Sequence, residues 1–200
     1  RERNLYMDGP TTVLDCVVLR GPTGEQFRDG VILKRNFIQA GYINFNNNSA
    51  KSDDDSFSGL FEDNVQQMVY QQGLHTGVGI TLGIGARNVE VNRHIITGAQ
   101  QATSVWGISL AAIGSAVDII GDVVWAKTRN NKFKDCIIDA GAGTPIQLTD
   151  GVRVTSGAVA QPQAVYPMLT DNHFENTVFI SSSANPNSVY TALTEAPATN

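Results

Sequence analysis

Charge is scarce in this chain: Asp, Glu, Lys and Arg make up 16% of its 200 residues, against about 25% in an average soluble protein. Basic runs are missing and the formal net charge is −5. Both facts argue against a nucleic-acid partner, because that binding rests on clustered Lys and Arg. Cysteine is nearly absent. Cys16 and Cys136 each lie in an apolar stretch, where a buried free thiol packs as a small hydrophobe. One disulfide between them stays open, but two cysteines do not make a disulfide framework. There is no CxxC pair and only three scattered His, so neither a zinc site nor any other metal or cofactor is expected. The longest apolar run, residues 105–126, is interrupted by Gly107, Gly114, Asp118, Gly121 and Asp122. Consecutive buried strands explain it better than a membrane span. The chain opens Arg1-Glu2-Arg3 with no signal-peptide pattern, and is expected to be a fragment or a processed product.

Asn, Gln, Ser, Thr and 19 glycines stand where charge is missing. Such a neutral polar surface suits contact with sugars, and equally any extracellular or virion surface. The length is enough for one well-buried domain.

Three segments share one pattern: residues 88–96, 130–138 and 171–179. Their anchors Val91, Phe133 and Phe174 lie 42 and 41 residues apart, and Ile96, Ile138 and Phe179 follow five residues after each. A short apolar, turn, short apolar unit recurring along a chain is the mark of stacked β coils. A second element, Ile-x-Leu, recurs at Ile80, Ile108 and Ile146, which precede the anchors by 11, 25 and 28 residues. Constant strands with variable insertions predict loops leaving one edge of a stack, with about two coils in each long period. The position two after the anchor is Asp135 and Asn176 but Arg93 in the first copy, which predicts an irregular first coil.

Residues 1–76 form a β-rich N-terminal segment. Apolar runs at 12–19, 30–33 and 37–45 read as strands, with a turn at 21–24. A polar excursion is expected at 46–59. Residues 60–72 read as a helix, because Leu60, Phe61, Val65, Met68 and Val69 share one face and Gly73 follows as a C′ glycine. Coils are expected over 77–182 and a loose tail over 183–200, all in one continuous domain.

The segments Asn131-Lys-Phe-Lys-Asp-Cys-Ile-Ile138 and Asn172-His-Phe-Glu-Asn-Thr-Val-Phe179 resemble the coil signature of right-handed parallel β-helices of the pectin-lyase type. With its low charge, the chain resembles the trunk of a bacteriophage tailspike or tail-fibre protein. The resemblance covers roughly residues 77–180. It implies an all-β right-handed parallel β-helix, inward anchors, and Asp135 stacked near Asn176 at a turn. It also implies a homotrimer on the virion that attaches to host-surface polysaccharide, with depolymerase activity neither supplied nor forbidden.

Glycoside hydrolysis needs two carboxylates at a defined separation. Asp118 and Asp122, both among apolar residues, are the best pair, with structural turn or edge roles as the competing reading. Trp106, Trp125 and Tyr166 are candidates for stacking on sugar rings. Glu90, Lys132 and His173 align just before the three anchors, and are expected to form an outward polar line that either binds glycan or is merely solvated. Two other functions remain open: a secreted polysaccharide lyase or hydrolase, and a purely structural virion or adhesin module.

Overall fold

A computed structural model describes residues 5–6, 10–19, 22–23, 30–39, 43–45, 57–68, 78–83, 86–97, 106–114, 128–141, 143–152, 169–182 and 189–194. Among these residues the chain is all-β, with parallel strands and no helix. Strand β1 (Leu5–Tyr6) precedes six circuits. The first holds β2 (Thr12–Leu14), β3 (Val17–Leu19) and β4 (Pro22–Thr23), and the second holds β5 (Val31–Lys34), β6 (Phe37–Gln39) and β7 (Ile43–Phe45). The third holds β8 (Phe57–Glu62), β9 (Val65–Gln67) and β10 (Val78–Leu82). The fourth holds β11 (Ala86–Asn92), β12 (Ile95–Thr97) and β13 (Trp106–Gly114). In the fifth come β14 (Thr128–Arg129), β15 (Lys132–Lys134), β16 (Ile137–Asp139) and β17 (Thr144–Val152). The sixth has β18 (Leu169–Thr170), β19 (His173–Glu175), β20 (Val178–Ile180) and β21 (Val189–Thr194).

Each strand pairs in parallel with its counterpart one circuit away, giving three sheets. The first runs β1-β4-β7-β10-β13-β17-β21; the third runs β3-β6-β9-β12-β16-β20. The second stacks β2, β5, β8 and β11, then β14 with β15, then β18 with β19. Parallel partners need a long crossover between them, and here that crossover is the passage through the other two sheets.

The corner between the second and third sheets repeats in every circuit. Asp15, Arg35, Asp63, Arg93, Asp135 and Asn176 all have φ between 48° and 55°. Asp and Asn tolerate this left-handed conformation better than most residues. The backbone ladder continues through the corner: the Asp15, Arg35, Asp63, Arg93 and Asp135 amides each donate to a carbonyl on the next circuit. One left-handed residue between two strands turns the chain while keeping alternation on both sides.

The anchors stack as expected. Val13, Leu33, Phe61, Val91, Phe133 and Phe174 are in direct register and belong to, or pack against, one core. The Phe133 and Phe174 rings stack 4.8 Å apart at 14°. Ile80, Ile108 and Ile146 are likewise in register in the first sheet.

Several expectations are corrected. Val91 pairs directly with Phe133, so each long period is one circuit, not two. The repeat does not begin at residue 77: β2, β5 and β8 occupy the same sheet as β11, at periods of 20, 28 and 30 residues. The helix expected over 60–72 is absent from the described part, where β8 and β9 stand instead. Asp63 is left-handed, and the Asp63, Val65 and Met68 amides donate to Asn92, Asn36 and Thr97 on other circuits. Pairing on both sides outweighs a helical apolar face that had nothing comparable to pack on. Phe57–Gly59 belongs to β8 rather than to the polar excursion, and Pro22–Thr23 is strand β4 rather than a turn. Arg93 keeps the corner regular with a φ of 50°. Cys16 is exposed rather than buried, whereas Cys136 is buried, and both are free thiols.

From the second circuit on, Asn36, Asn64, His94, Cys136 and Thr177 fill the inward position just after the corner. Asn36 Oδ1 accepts the Cys16 amide at 2.9 Å, and Asn64 Oδ1 accepts the Asn36 amide at 3.0 Å. Their Nδ2 groups donate to the Val13 and Leu33 carbonyls at 2.9 and 2.8 Å. Further along the column, Cys136 Sγ and Thr177 Oγ1 donate to the Val91 and Phe133 carbonyls, both at 3.3 Å. A second ladder stands before the second sheet. Asn131 Oδ1 accepts the Val89 amide at 3.0 Å, and Asn172 Oδ1 accepts the Asn131 amide at 3.1 Å.

Two core substitutions test this arrangement. Phe133→Ala is expected to cost about 3–5 kcal/mol through lost transfer and cavity terms. Asn64→Ala leaves the buried Asn36 amide without its acceptor and is expected to cost roughly 1–3 kcal/mol. Urea unfolding measures both; a loss under about 1 kcal/mol in either variant contradicts the packing described.

Candidate functional site

The outer face of the second sheet carries two rows of outward side chains, one residue per circuit in each. Thr12, Ile32, Leu60, Glu90, Lys132 and His173 form the first row. It is uncharged over three circuits and ionisable over the last three, where Glu90, Lys132 and His173 are exposed. The line expected from the sequence therefore exists, at about 4.8 Å per step. Leu14, Lys34, Glu62, Asn92, Lys134 and Glu175 form the second row.

Beside the second row, the corner column alternates in charge: Asp15, Arg35, Asp63, Arg93 and Asp135, ending in Asn176. Its members pair along the stack. Arg35 Nε and Nη2 donate to the two Asp15 carboxylate oxygens, both at 2.6 Å. Arg93 Nε donates to Asp63 at 2.6 Å, and its Nη2 reaches Glu62 at 2.7 Å and Asp63 at 3.0 Å. Lys34 also pairs with Glu62, Lys134 lies 3.3 Å from Glu175, and Asn176 donates to Asp135 at 3.2 Å. Hydrogen bonds from these partners hold the Asp15, Glu62 and Asp63 carboxyls below their ordinary range. They raise the Arg35 and Arg93 guanidiniums above theirs.

The electrostatics limit the chemistry of this face. A general acid in glycoside cleavage needs a carboxyl pushed up so that it holds its proton. The shifted carboxyls described here all move down, so they are acceptors in a structural network. Glu90, Lys132 and His173 have no ion pair or side-chain hydrogen bond with one another or with the other described residues. They offer an acceptor, a donor and an imidazole along one straight line. That is equipment for hydrogen-bonding a chain of hydroxyls.

Of the other candidates, Asp118, Asp122, Trp125 and Tyr166 lie outside the described residues. Trp106 opens β13, its backbone paired with Val78 and Thr144. The Asp135–Asn176 level of the corner column was anticipated and is present; its charged continuation through Arg93, Asp63, Arg35 and Asp15 was not. Its signal was present as Asp, Arg, Asp, Arg, Asp, Asn two residues after each anchor, but reading it required extending the repeat back to Val13, Leu33 and Phe61 at unequal spacing.

Two buried groups stand apart. His94 is fully buried, its Nε2 lies 3.2 Å from Gln66 Oε1, and its Nδ1 has no partner among the described residues. Gln66 is oriented by donating to the Gly79 carbonyl at 2.8 Å. Burial pushes the imidazole down to about 3 and pushes the Cys136 thiol up, which makes that thiol a poor nucleophile.

A pH dependence follows from His94. Its pKa is about 6.5 unfolded and about 3 folded, so the unfolded chain binds the extra proton. Stability from this group is full above pH 6.5 and falls as pH drops toward 3. From pH 6.5 to about 5.5, carboxylates bind few protons even in the unfolded chain, and the slope there belongs chiefly to His94. His94→Asn supplies the side chain used at Asn36 and Asn64, and is expected to flatten that part of the profile. Urea midpoints across this range measure it, and an unchanged slope in the variant removes His94 as the cause.

No family model, no curated protein and no solved structure matches this chain.

Proposed function

We propose that the chain is a right-handed parallel β-helix that attaches to surface polysaccharide as part of a phage tailspike or tail fibre. The three parallel sheets visited in constant order support the β-helix reading, and the coil signature at 131–138 and 172–179 supports the kinship. The observation that carries the binding role is the row Glu90, Lys132 and His173: three exposed polar groups, in register on consecutive circuits and without partners among the described residues. A glycan laid along the stack would meet one such group at each step, on a rigid β surface that loses little entropy on binding.

The downward-shifted carboxyls favour binding over cleavage on this face. Cleavage by a secreted lyase or hydrolase would require groups elsewhere, with Asp118 and Asp122 the pair to substitute.

Binding is tested on a panel of capsular and lipopolysaccharide glycans by surface plasmon resonance. The triple variant Glu90→Ala, Lys132→Ala, His173→Ala is expected to bind at least tenfold more weakly with an unchanged circular dichroism spectrum. Equal binding by variant and parent, or no binding to any glycan by the parent, would overturn the reading. Release of reducing ends in the same mixtures, abolished in Asp118→Asn or Asp122→Asn, would instead establish a depolymerase.

A further inference from the structure

The outer face of the third sheet carries one row that is apolar in every circuit: Val17, Phe37, Val65, Ile95, Ile137 and Val178, in direct register. Val17 is 69% exposed, Val178 52%, Ile137 40% and Phe37 38%, and Val65 and Ile95 are half-buried. At about 4.8 Å per step the row is about 24 Å long. A continuous exposed apolar strip with polar borders marks an interaction surface. The outward rows of the second sheet differ, since Glu90 and Lys132 interrupt one and Lys34, Glu62, Lys134 and Glu175 the other.

The borders identify what fits. Two residues beyond the strip runs a neutral rail, Gln39, Gln67 and Thr97 in register, followed by Asp139 and Ile180. Gln39 Nε2 donates to Gln67 Oε1 at 3.1 Å. Gln39 therefore keeps its oxygen as an acceptor, and Gln67 keeps its amide hydrogens as donors. Two residues before the strip, in the same two circuits, stand the corner side chains Arg35 and Asp63. Arg35 commits Nε and Nη2 to Asp15 and keeps Nη1 as a further donor. The Asp63 carboxylate receives Arg93 and has lone pairs left to accept more. The rail thus offers an acceptor level with a donor and a donor level with an acceptor, and no ion pair within the chain has to break.

We propose that this face binds two further copies of the same chain around an axis parallel to the stack, so that circuits of equal number lie level. The strips of the three copies converge on the axis, and each residue meets its own counterparts. A column set against its own copies must be free of charge, because like charges at an interface are costly. Among the described residues of the second and third sheets, this is the one outward row that is apolar at all six levels. Beside it, the corner column of one copy meets the rail of the next: Arg35 lies level with Gln39, Asp63 with Gln67 and Arg93 with Thr97. Asp135 comes level with Asp139, the one like-charge approach. Both carboxylates already accept hydrogen bonds within the chain, from Asn176 and from the Gly141 amide, and salt screens such pairs at a rim. Two sheets packed face to face share a core built from the whole of both inner faces, whereas a single row fills the narrow channel where three columns meet. The number of copies rests on the tailspike reading, while the face and the order of circuits follow from register and from the side-chain donors and acceptors.

Light scattering on the purified chain is expected to give three times its 21.5 kDa mass. Ile137→Lys, which sets three ammonium groups on the axis, is expected to give the monomer with unchanged circular dichroism, since this side chain points outward. Gln67→Glu sets a carboxylate level with Asp63 and is expected to raise the subunit dissociation constant at least tenfold. The order of circuits is read by copper-phenanthroline oxidation in a Cys16→Ser background. Val17→Cys alone and Val178→Cys alone are each expected to form disulfide-linked pairs. Linkage only when the two variants are mixed would mean reversed order and overturn the proposal. An unchanged trimer in folded Ile137→Lys or in Gln67→Glu overturns it as well. A monomeric or dimeric parent refutes this interface whether or not glycan binds, whereas a trimer that links as expected but binds no glycan supports the interface and removes attachment alone.

Discussion

Everything described in this chain depends on one constraint: each residue pairs in parallel with its counterpart one circuit on, and the pairing continues through the left-handed corner. The amides of Asp15, Arg35, Asp63, Arg93 and Asp135 donate along the stack just as strand amides do. The register of the second sheet is thereby transmitted to the third. Parallel pairing places like positions above one another, so every position in the circuit becomes a column. What a column contains then decides whether it forms core, corner or surface.

The inward columns show how buried polarity is accommodated. A side chain just after the corner can meet backbone groups that the turn leaves open, and Asn does so with both ends of its amide at Asn36 and Asn64. Cys136 and Thr177 keep only the donor half of this role. His94 occupies the same column but turns to Gln66, leaving Nδ1 without a partner among the described residues. A buried imidazole with one open nitrogen is tolerated while neutral and becomes costly once charged. The fourth circuit is therefore the electrostatically weak level of the core.

The outer faces divide their properties by sheet. On the second sheet, charge is organised into pairs along the second row and the corner, while Glu90, Lys132 and His173 stand outside that network. The third sheet presents an apolar strip instead. The corner column lies between the two, and its ion pairs bind successive circuits within one chain. Exposed ion pairs of this kind contribute little stability singly.

The sequence by itself determined the alternation, the stack and its anchors. Val91, Phe133 and Phe174 could be aligned because large apolar residues recur there at near-equal spacing, and the Asp135–Asn176 corner because these side chains tolerate a positive φ. Coil order in the first 76 residues was not legible, since periods of 20, 28 and 30 residues hide a repeat whose constant part is only about eight residues long. Residues 60–68 carried a helical apolar face that was real in the sequence but irrelevant to the fold, because only the tertiary structure supplied a parallel partner on either side. The same holds for surfaces. Val17, Phe37, Ile137 and Val178 read as ordinary strand residues until register set them side by side and outward, and an alternation of Asp and Arg spread over some 120 residues became one column. Local chemistry fixes which way a residue can turn; which residues then become neighbours is decided by hydrogen bonds between circuits far apart in the chain.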